Sequence, residues 1–533
     1  MPLPILTTVQ MKACDDHTIH TVGVPSQTLM ERAAAKAALF LNRRADPFPA
    51  GRVLLLCGSG NNGGDGFAMA RFLADGSCGD PRPVTVLYTG RLTVEGTPDE
   101  GHMSPECARQ YNLAREEWIT ILPVSGWREA VNEAAVVVDA VFGIGLDRPV
   151  EGEIASLLTA VAASGLPVLA VDVPSGVNAD TGEIMGVALH ATATVTMQAL
   201  KAGLLRYPGA DLCGEIFVAD LGIDLTPVEK PYARLADEAL LRRILPPRAR
   251  RSHKGTYGWV ALMCGSEGMS GAAVLATRAA LRSGAGIARV LTPDCNRVVL
   301  QTAVPEAIVS VYATPAEAAG YAEADALVLG CGLGASELSR EALRGVLKVC
   351  PADGAVPVVL DADGINHTVK DPSLWGDLLA HHRQVIITPH PIEMSRLCGK
   401  AVPEILAHPV EVAKAFAATW GVTVVLKDAH TVIASPDGDV FLCAAGNAGM
   451  ATGGSGDALA GVIGSLLAQN HHRIGVDVTV AEIAAAGVCL HAKAGDLAAE
   501  DLGEYGMLPS DLIERLPRVC KEFSDTRTRV EGQ

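Results

Sequence analysis

Two segments of the chain join glycine-rich backbone to amide and carboxylate side chains, a combination suited to holding phosphates and moving protons. The first is Gly58-Ser59-Gly60-Asn61-Asn62-Gly63-Gly64-Asp65-Gly66, between the apolar run Arg52–Cys57 and the helical stretch Phe67–Gly76. Glycines between a strand and a helix let backbone amides approach an anion at the positive helix end. It is neither the dinucleotide-register G-x-G-x-x-G nor a Walker A loop, since no Gly-Lys-Ser/Thr follows. The second is Gly446-Asn447-Ala448-Gly449-Met450-Ala451-Thr452-Gly453-Gly454-Ser455-Gly456-Asp457, which opens the helical ALAGVIGSLLAQ. Its small residues leave amides free for an anion, and Asp457 falls in the first helical turn, within reach of a hydroxyl attacking a terminal phosphate.

Two more acids end apolar runs in the first half. Val136–Asp139 leads into Ala140-Val141-Phe142-Gly143-Ile144-Gly145-Leu146-Asp147-Arg148-Pro149, and Val168–Asp172 into Val173-Pro174-Ser175-Gly176. Helix N-capping explains either aspartate singly, but not three such loops together. In an open α/β sheet the carboxyl ends of strands form the ligand crevice, so Asp139, Asp172 and the Asn61/Asn62 loop are expected to converge.

The elements that must position these groups alternate strand with helix. Arg52–Cys57, Val84–Tyr88, Val136–Asp139, Val168–Asp172 and Ile216–Ala219 read as buried strands of the first half. Trp259–Cys264, Ala288–Leu291, Ala326–Leu329, Val356–Asp361 and Gln384–Thr388 do so in the second, followed by a hairpin with its turn at Pro436-Asp437-Gly438. This pattern predicts parallel sheets covered on both faces. Polar, proline-punctuated Asp224–Lys254 reads as a boundary, giving units 1–224 and 250–533 joined by a linker and a short helix over 225–249. The charged tail after Lys521 is expected to fray.

The chain has 533 residues, 49% hydrophobic, enough to bury two or three cores rather than remain disordered. A formal charge of -17 argues against nucleic-acid and anionic-membrane partners. Thirteen cysteines without a C-x-x-C pair indicate neither a zinc knuckle nor a disulfide framework. No secretory leader is read at the N-terminus, and apolar Ala155–Val171 is too short to span a bilayer, so a cytoplasmic location is expected. A homo-oligomer is the expected assembly, although no periodic seam specifies its order.

NNGGDG, VVDAVFGIGLDRP and AVDVPSGVNADTG resemble the signature loops of the NAD(P)H-hydrate epimerase (YjeF N-terminal) family, over about Met1–Asp224. That resemblance implies a Rossmann-like α/β/α sandwich that epimerises the C6 hydroxyl of hydrated NAD(P)H, with bound K+. It places substrate at Asn61, Asn62, Gly63, Gly64, Asp65, at Gly143, Ile144, Gly145, Leu146, Asp147, Arg148, Pro149, and at Asp172, and K+ at Asn62, Asp139 and Ser175. Asp172 is the expected acid/base, on the premise that a buried pocket raises its pKa. Hard oxygen ligands suit such a cation rather than zinc.

The glycine-rich Asp457 segment resembles the G-x-G-D element of ribokinase-like kinases. With HKGTYG, GMSGAA, RSGAG and TPHP it resembles ADP/ATP-dependent NAD(P)H-hydrate dehydratase over about Arg250–Leu512. The implied α/β/α domain phosphorylates the C6 hydroxyl of the S hydrate and eliminates phosphate to restore NADH or NADPH from NADHX or NADPHX. ADP is the expected donor, ATP the alternative, and Mg2+ neutralises the phosphoryl group in flight. The match makes Asp457 the general base, places Ala272, Gly332, Gly334, His390 and Asp457 on the hydrate, and puts Gly456 with Lys427, Asp428, Ala429, His430 and Thr431 on the nucleotide. Three departures bear on nucleotide affinity: Cys331 replaces the proline of Gly-Pro-Gly-Leu-Gly, Ile392 the glycine of His-Pro-Gly-Glu, and Asp428 the glycine of Lys-Gly-x-x-Thr. Two other readings compete with this one. One is a ribokinase-like small-molecule kinase fused to a non-catalytic nucleotide-binding domain; the other makes the first half a scaffold for protein or RNA, which its intact acids and acidic charge disfavour.

Overall fold

The computed structural model describes residues 2–245, 248–318, 324–348 and 356–524. Contacts divide it into two compact units, Leu3–Ala233 and a second beginning at Arg234.

The sheet of the first unit comprises β1 (Val53–Cys57), β2 (Val84–Tyr88), β3 (Ile121–Pro123), β4 (Val136–Ala140), β5 (Val168–Val171), β6 (Ala193–Met197) and β7 (Glu215–Ala219). They lie in the order β3-β2-β1-β4-β5-β6-β7, all parallel. Strand alternation sorts the wholly apolar β1 between two cores. Val53, Leu55 and Cys57 pack with Phe67, Met69 and Leu73, whereas Leu54 and Leu56 pack with Leu157, Leu158 and Val161. Strand order reverses between β1 and β4, and there the carboxyl ends part into a crevice.

In the second unit the strands are β8 (Trp259–Met263), β9 (Ile287–Pro293), β10 (Ile308–Tyr312), β11 (Ala326–Leu329), β12 (Val358–Leu360), β13 (Val385–Ile387), β14 (Thr423–Leu426), β15 (Thr431–Ala434) and β16 (Val440–Cys443). Their order is β10-β9-β8-β11-β12-β13-β14-β15-β16, parallel up to β14 and antiparallel through the last two pairings. The apolar helix Ser455–Gln469 lies against this sheet and helix Ser270–Arg282. Two glycines permit that approach: a Cβ on Gly461 would meet the Ala276 carbonyl oxygen at 2.1 Å, and one on Gly464 would meet Val328 at 2.2 Å.

Parallel α/β architecture agrees with the sequence pattern, and several details differ from it. Asn61–Gly66 is not a loop: the helix starts at Asn61, so the NNGGDG residues form its first two turns. A Cβ on Gly63 would stand 2.0 Å from the Gly58 carbonyl oxygen, and one on Gly66 would stand 2.6 Å from Cys57 Sγ. These glycines therefore serve close packing rather than unusual dihedrals. β3, β6 and β10 escaped the pattern; β3 is only three residues long, and β10 alternates at an exposed edge. The expected hairpin is a three-stranded meander, with one turn after Leu426 and another around Gly438 at φ +80°. Within the segment read as linker, Ala233–Leu235 pairs with β16 and Asp237 caps helix Glu238–Ile244. Of the tail after Lys521, residues 525–533 lie outside the described residues. Among the described residues no helix is long and apolar enough to cross a membrane.

Gly461→Ala is expected to destabilise the second unit by about 1–3 kcal/mol, the usual cost of overpacking. Gly453→Ala should leave the denaturation midpoint unchanged, because nothing lies within 4 Å of a Cβ there.

Candidate functional sites

At the carboxyl ends of β1, β4 and β5 a cavity of about 590 Å3 opens beside the start of helix Asn61–Asp75. Its wall includes Asn61, Asn62, Asp65, the Gly143–Leu146 loop and Asp172. Asp147, Arg148 and Pro149 are exposed and lie off this wall, while Gly63 and Gly64 are buried behind it.

Asp172 adopts φ +68°, which an L-residue takes up at a cost. That backbone is held by its surroundings. Asp172 Oδ1 accepts from Lys201 Nζ at 2.6 Å, Met197 N at 3.2 Å and Thr196 Oγ1 at 3.3 Å, while Oδ2 points toward Gly143. Lys201 is 1% exposed and also donates to the Met197 carbonyl at 2.7 Å. The buried pocket expected around Asp172 is present, and it also holds a buried ammonium directly against the carboxylate.

Asp15 joins this group from the N-terminal helix Thr8–His17, which is anchored where Asp180 accepts from Thr8 N and Thr8 Oγ1, both at 2.7 Å. Burial pushes the Asp15 carboxyl up to about 6, with Lys201 opposing and Asp172 and Asp16 adding to the rise. Asp65 is driven well above the usual carboxylate range by burial and by the charges of Asp172 and Asp15. Three carboxylates thus share one lysine.

Behind the cavity, Asp139 is wholly buried and accepts from Ser175 Oγ at 2.6 Å, Ser175 N at 2.7 Å and Val141 N at 3.3 Å. Burial raises its carboxyl to about 6 against the pull of those hydrogen bonds. Both polar atoms of the Asn62 side chain are buried without a hydrogen-bond partner, and Asn62 packs 3.3 Å from where a Gly143 Cβ would lie. An orphaned amide beside a buried carboxylate and hydroxyl fits a hard monovalent cation.

In the second unit the functional groups lie at the carboxyl ends of β8, β11, β12, β13 and β14. Asp457 occupies the first turn of helix Ser455–Gln469, whose preceding residue Gly454 has φ +100°. Asp361 ends β12 and is 2% exposed. Its Oδ1 accepts from Thr388 Oγ1 at 2.6 Å and Lys427 Nζ at 2.8 Å. Ala362 follows at φ +48°, a second strained backbone beside a functional acid. Asp457 is pushed up to about 6 by burial and by Asp361, with Cys331 and Lys427 opposing. Burial would lower the Lys427 ammonium, but Asp361 and Glu393 raise it on balance.

Other expected contacts are distributed unevenly. A Cβ on Gly332 would strike Ala272 at 2.6 Å, and Gly334 N donates to Asp363, so this turn lies against the start of helix Ser270–Arg282. A Cβ on Gly456 would stand 3.4 Å from Lys427 Nζ. Asp428 and Ala429 are exposed at the β14–β15 turn, where Thr431 Oγ1 donates to the Asp428 carbonyl. His430 is half-buried in the same turn. His390 caps helix Pro391–Cys398: its Nδ1 accepts from Ile392 N and Glu393 N, and Glu393 returns the contact to His390 N. Ile392 sits in the first helical turn, where the freedom of glycine is not needed.

Lys201, Asp15 and Asp361 were missed from sequence. Lys201 is a lone charge between uncharged Met197–Leu200 and apolar Ala202–Leu205, and Asp361 repeats the strand-ending acid seen at Asp139. Nothing in the sequence of the polar Thr8–His17 helix marks Asp15.

The family model described as YjeF-related protein N-terminus matches residues 26–203, and the one described as NAD(P)H-hydrate dehydratase matches 260–518. A bifunctional NAD(P)H-hydrate repair enzyme Nnr of Moorella thermoacetica is 34% identical over 98% of this chain and 97% of its own. Proteins of the same name from Thermofilum pendens and Escherichia coli are each 35% identical, covering 97% and 93% of this chain and 96% and 90% of theirs. A solved Bacillus subtilis ADP/ATP-dependent NAD(P)H-hydrate dehydratase, co-crystallised with ATP/Mg2+, is 33% identical with a TM-score of 0.46, covering 54% of this chain and 98% of that one.

Two outcomes test this electrostatic arrangement. Carboxyl NMR should titrate Asp457 near 6, and Asp361→Asn should lower that value by removing a negative neighbour. Lys201→Met should cost about 3–5 kcal/mol in a denaturation measurement, because it strands a buried carboxylate.

Proposed function

The chain belongs to the bifunctional NAD(P)H-hydrate repair enzymes, and from that premise we propose how its two crevices divide the two reactions. Residues 1–224 interconvert the R and S hydrates of NADH and NADPH, and residues 250–533, reached through 225–249, dehydrate the S form at the expense of ADP. The observation that carries the first assignment is Asp172, held at a strained φ by buried Lys201 and facing a cavity at a helix N-terminus.

In that cavity the helix amides and Asn61/Asn62 receive the cofactor phosphates. The hydrated ring lies between the Gly143–Leu146 loop and Asp172. As the ring nitrogen pushes out the C6 hydroxyl, Asp172 shuttles a proton at Oδ2, and Lys201 fixes its other oxygen. Asp65, driven well above the usual carboxylate range, is a proton donor within the same wall, whereas Asp15, raised to about 6, takes up its proton only as the pH falls toward that value. Water then returns to C6 from either face. K+ held by Asn62, Asp139 and Ser175 would offset the charge of Asp139 and tie the Asn62 turn to the ends of β4 and β5.

In the second crevice Asp457 removes the proton of the C6 hydroxyl as its oxygen attacks the terminal phosphorus of ADP, and the bond from that phosphorus to the bridging oxygen breaks to release AMP. A base with a pKa near 6 is ionised at neutral pH and still basic enough to act. Amides of the Gly453–Gly456 turn and Lys427 receive the transferred phosphoryl group, and Asp361 holds Lys427 in place. The Asp361 carboxylate is a hard donor that fits Mg2+, whose role when bound would be to neutralise phosphate charge while Asp457 stays free as the base. Phosphate is a better leaving group than hydroxide. The nitrogen lone pair expels it, and loss of the C5 proton restores the reduced ring. Ala272, Gly332, Gly334 and His390 form the wall assigned to the hydrate. ATP is the alternative donor, a homo-oligomer the proposed assembly, and the cytoplasm the proposed location.

Asp172→Ala should slow epimerisation of purified R hydrate by about 10²–10⁴-fold while dehydration of purified S hydrate persists. Asp457→Ala should do the reverse, read as recovery of reduced-nicotinamide absorbance with ADP and ATP in turn. Its rate in the parent enzyme should fall as pH drops through about 6, where the base becomes protonated. Loss of both activities from either folded variant would contradict the division.

A further inference from the structure

Cys331 stands where relatives of the second unit are expected to carry proline, and its surroundings give the thiol a use that proline lacks. Sγ lies 3.9 Å from Asp361 Oδ2. One ligand atom from each of Cys331, Asp361 and Asp457 falls within 4.8 Å of the other two. We propose that Cys331, Asp361 and Asp457 form a three-ligand site for a thiophilic divalent cation such as Zn2+ or Cd2+, whose occupancy takes the Asp457 base out of use.

The donors are already oriented. Thr388 and Lys427 bind Oδ1 of Asp361, which turns Oδ2 toward the thiol. Such second-layer hydrogen bonds are what fix a carboxylate ligand. Gly456 leaves room beside that oxygen, since even a Cβ there would lie 3.8 Å away. Drawing the three donors to the separations of about 3.5 Å that tetrahedral zinc requires takes a movement of roughly 1 Å. One thiolate and two carboxylates leave the fourth position open to water.

Charge favours the ion. Asp361 and Asp457 face one ammonium, Lys427, so the crevice carries an unbalanced negative charge. The Cys331 thiol is kept neutral by a hydrogen bond with Cys264 and by burial. On binding, the sulfur–metal bond replaces the S–H bond and the proton leaves to solvent. The dication, three anionic ligands and Lys427 then cancel. Mg2+ gains nothing from the sulfur, so the site discriminates by softness.

The test is direct binding to the whole chain without substrate, which makes it independent of the assigned reactions. Cd2+ titration should give a sulfur-to-cadmium charge-transfer band with one more tight equivalent than in Cys331→Ala, and Mg2+ should give none. Cys331→Ser, which keeps the side-chain size, and Asp361→Asn should each weaken that equivalent at least tenfold, whereas Cys264→Ala should retain it. In the dehydration assay the same ion should inhibit the parent at least tenfold more strongly than Cys331→Ala, with epimerisation unaffected. An unchanged cadmium stoichiometry in Cys331→Ala and Cys331→Ser, or loss of the band in Cys264→Ala alone, would overturn the proposal.

Discussion

Each crevice gathers several carboxylates around one lysine. Lys201 answers Asp172 while Asp15 and Asp65 share its field; Lys427 answers Asp361 while Asp457 has the Cys331 thiol beside it. Carboxylates in low-dielectric surroundings resist ionisation, and neighbouring carboxylates resist it further. Each lysine pairs with one carboxylate, Asp172 or Asp361, and burial raises the neighbouring acids Asp15, Asp65 and Asp457.

Such clusters persist because the scaffold around them is over-determined. Both sheets are parallel where the acids sit, with strands buried on two faces and glycines removing the side chains that would keep helix and sheet apart. Gly63 and Gly66 seat the first helix on β1; Gly461 and Gly464 seat the Asp457 helix on its sheet. Backbone strain then appears at the acids themselves, at Asp172 and at Ala362 after Asp361. Packing elsewhere stabilises conformations that these residues would not adopt alone.

The three departures from the family pattern separate on the same grounds. Ile392 occupies a helical position whose amide is capped by His390, so loss of glycine there has no conformational cost. Asp428 is exposed at a hairpin turn. Cys331 alone lies among the buried acids at the strand ends, its sulfur turned toward Asp361.

The amino-acid order by itself determined the alternating strands and helices and the family, because continuous apolar runs and glycine-rich strand ends are local signals. It also marked Asp139, Asp172 and Asp457, each an acid at an apolar run or helix start. Only tertiary structure decided what those acids experience. Lys201 lies 29 residues from Asp172 and Lys427 lies 66 from Asp361, and no local pattern ties such partners together. Asp15 arrives on a polar helix fixed by the distant Asp180. The NNGGDG glycines read as an anion-binding loop until the Gly58 carbonyl and Cys57 appear against them, because a close approach belongs to both partners and only one of them is written in the motif.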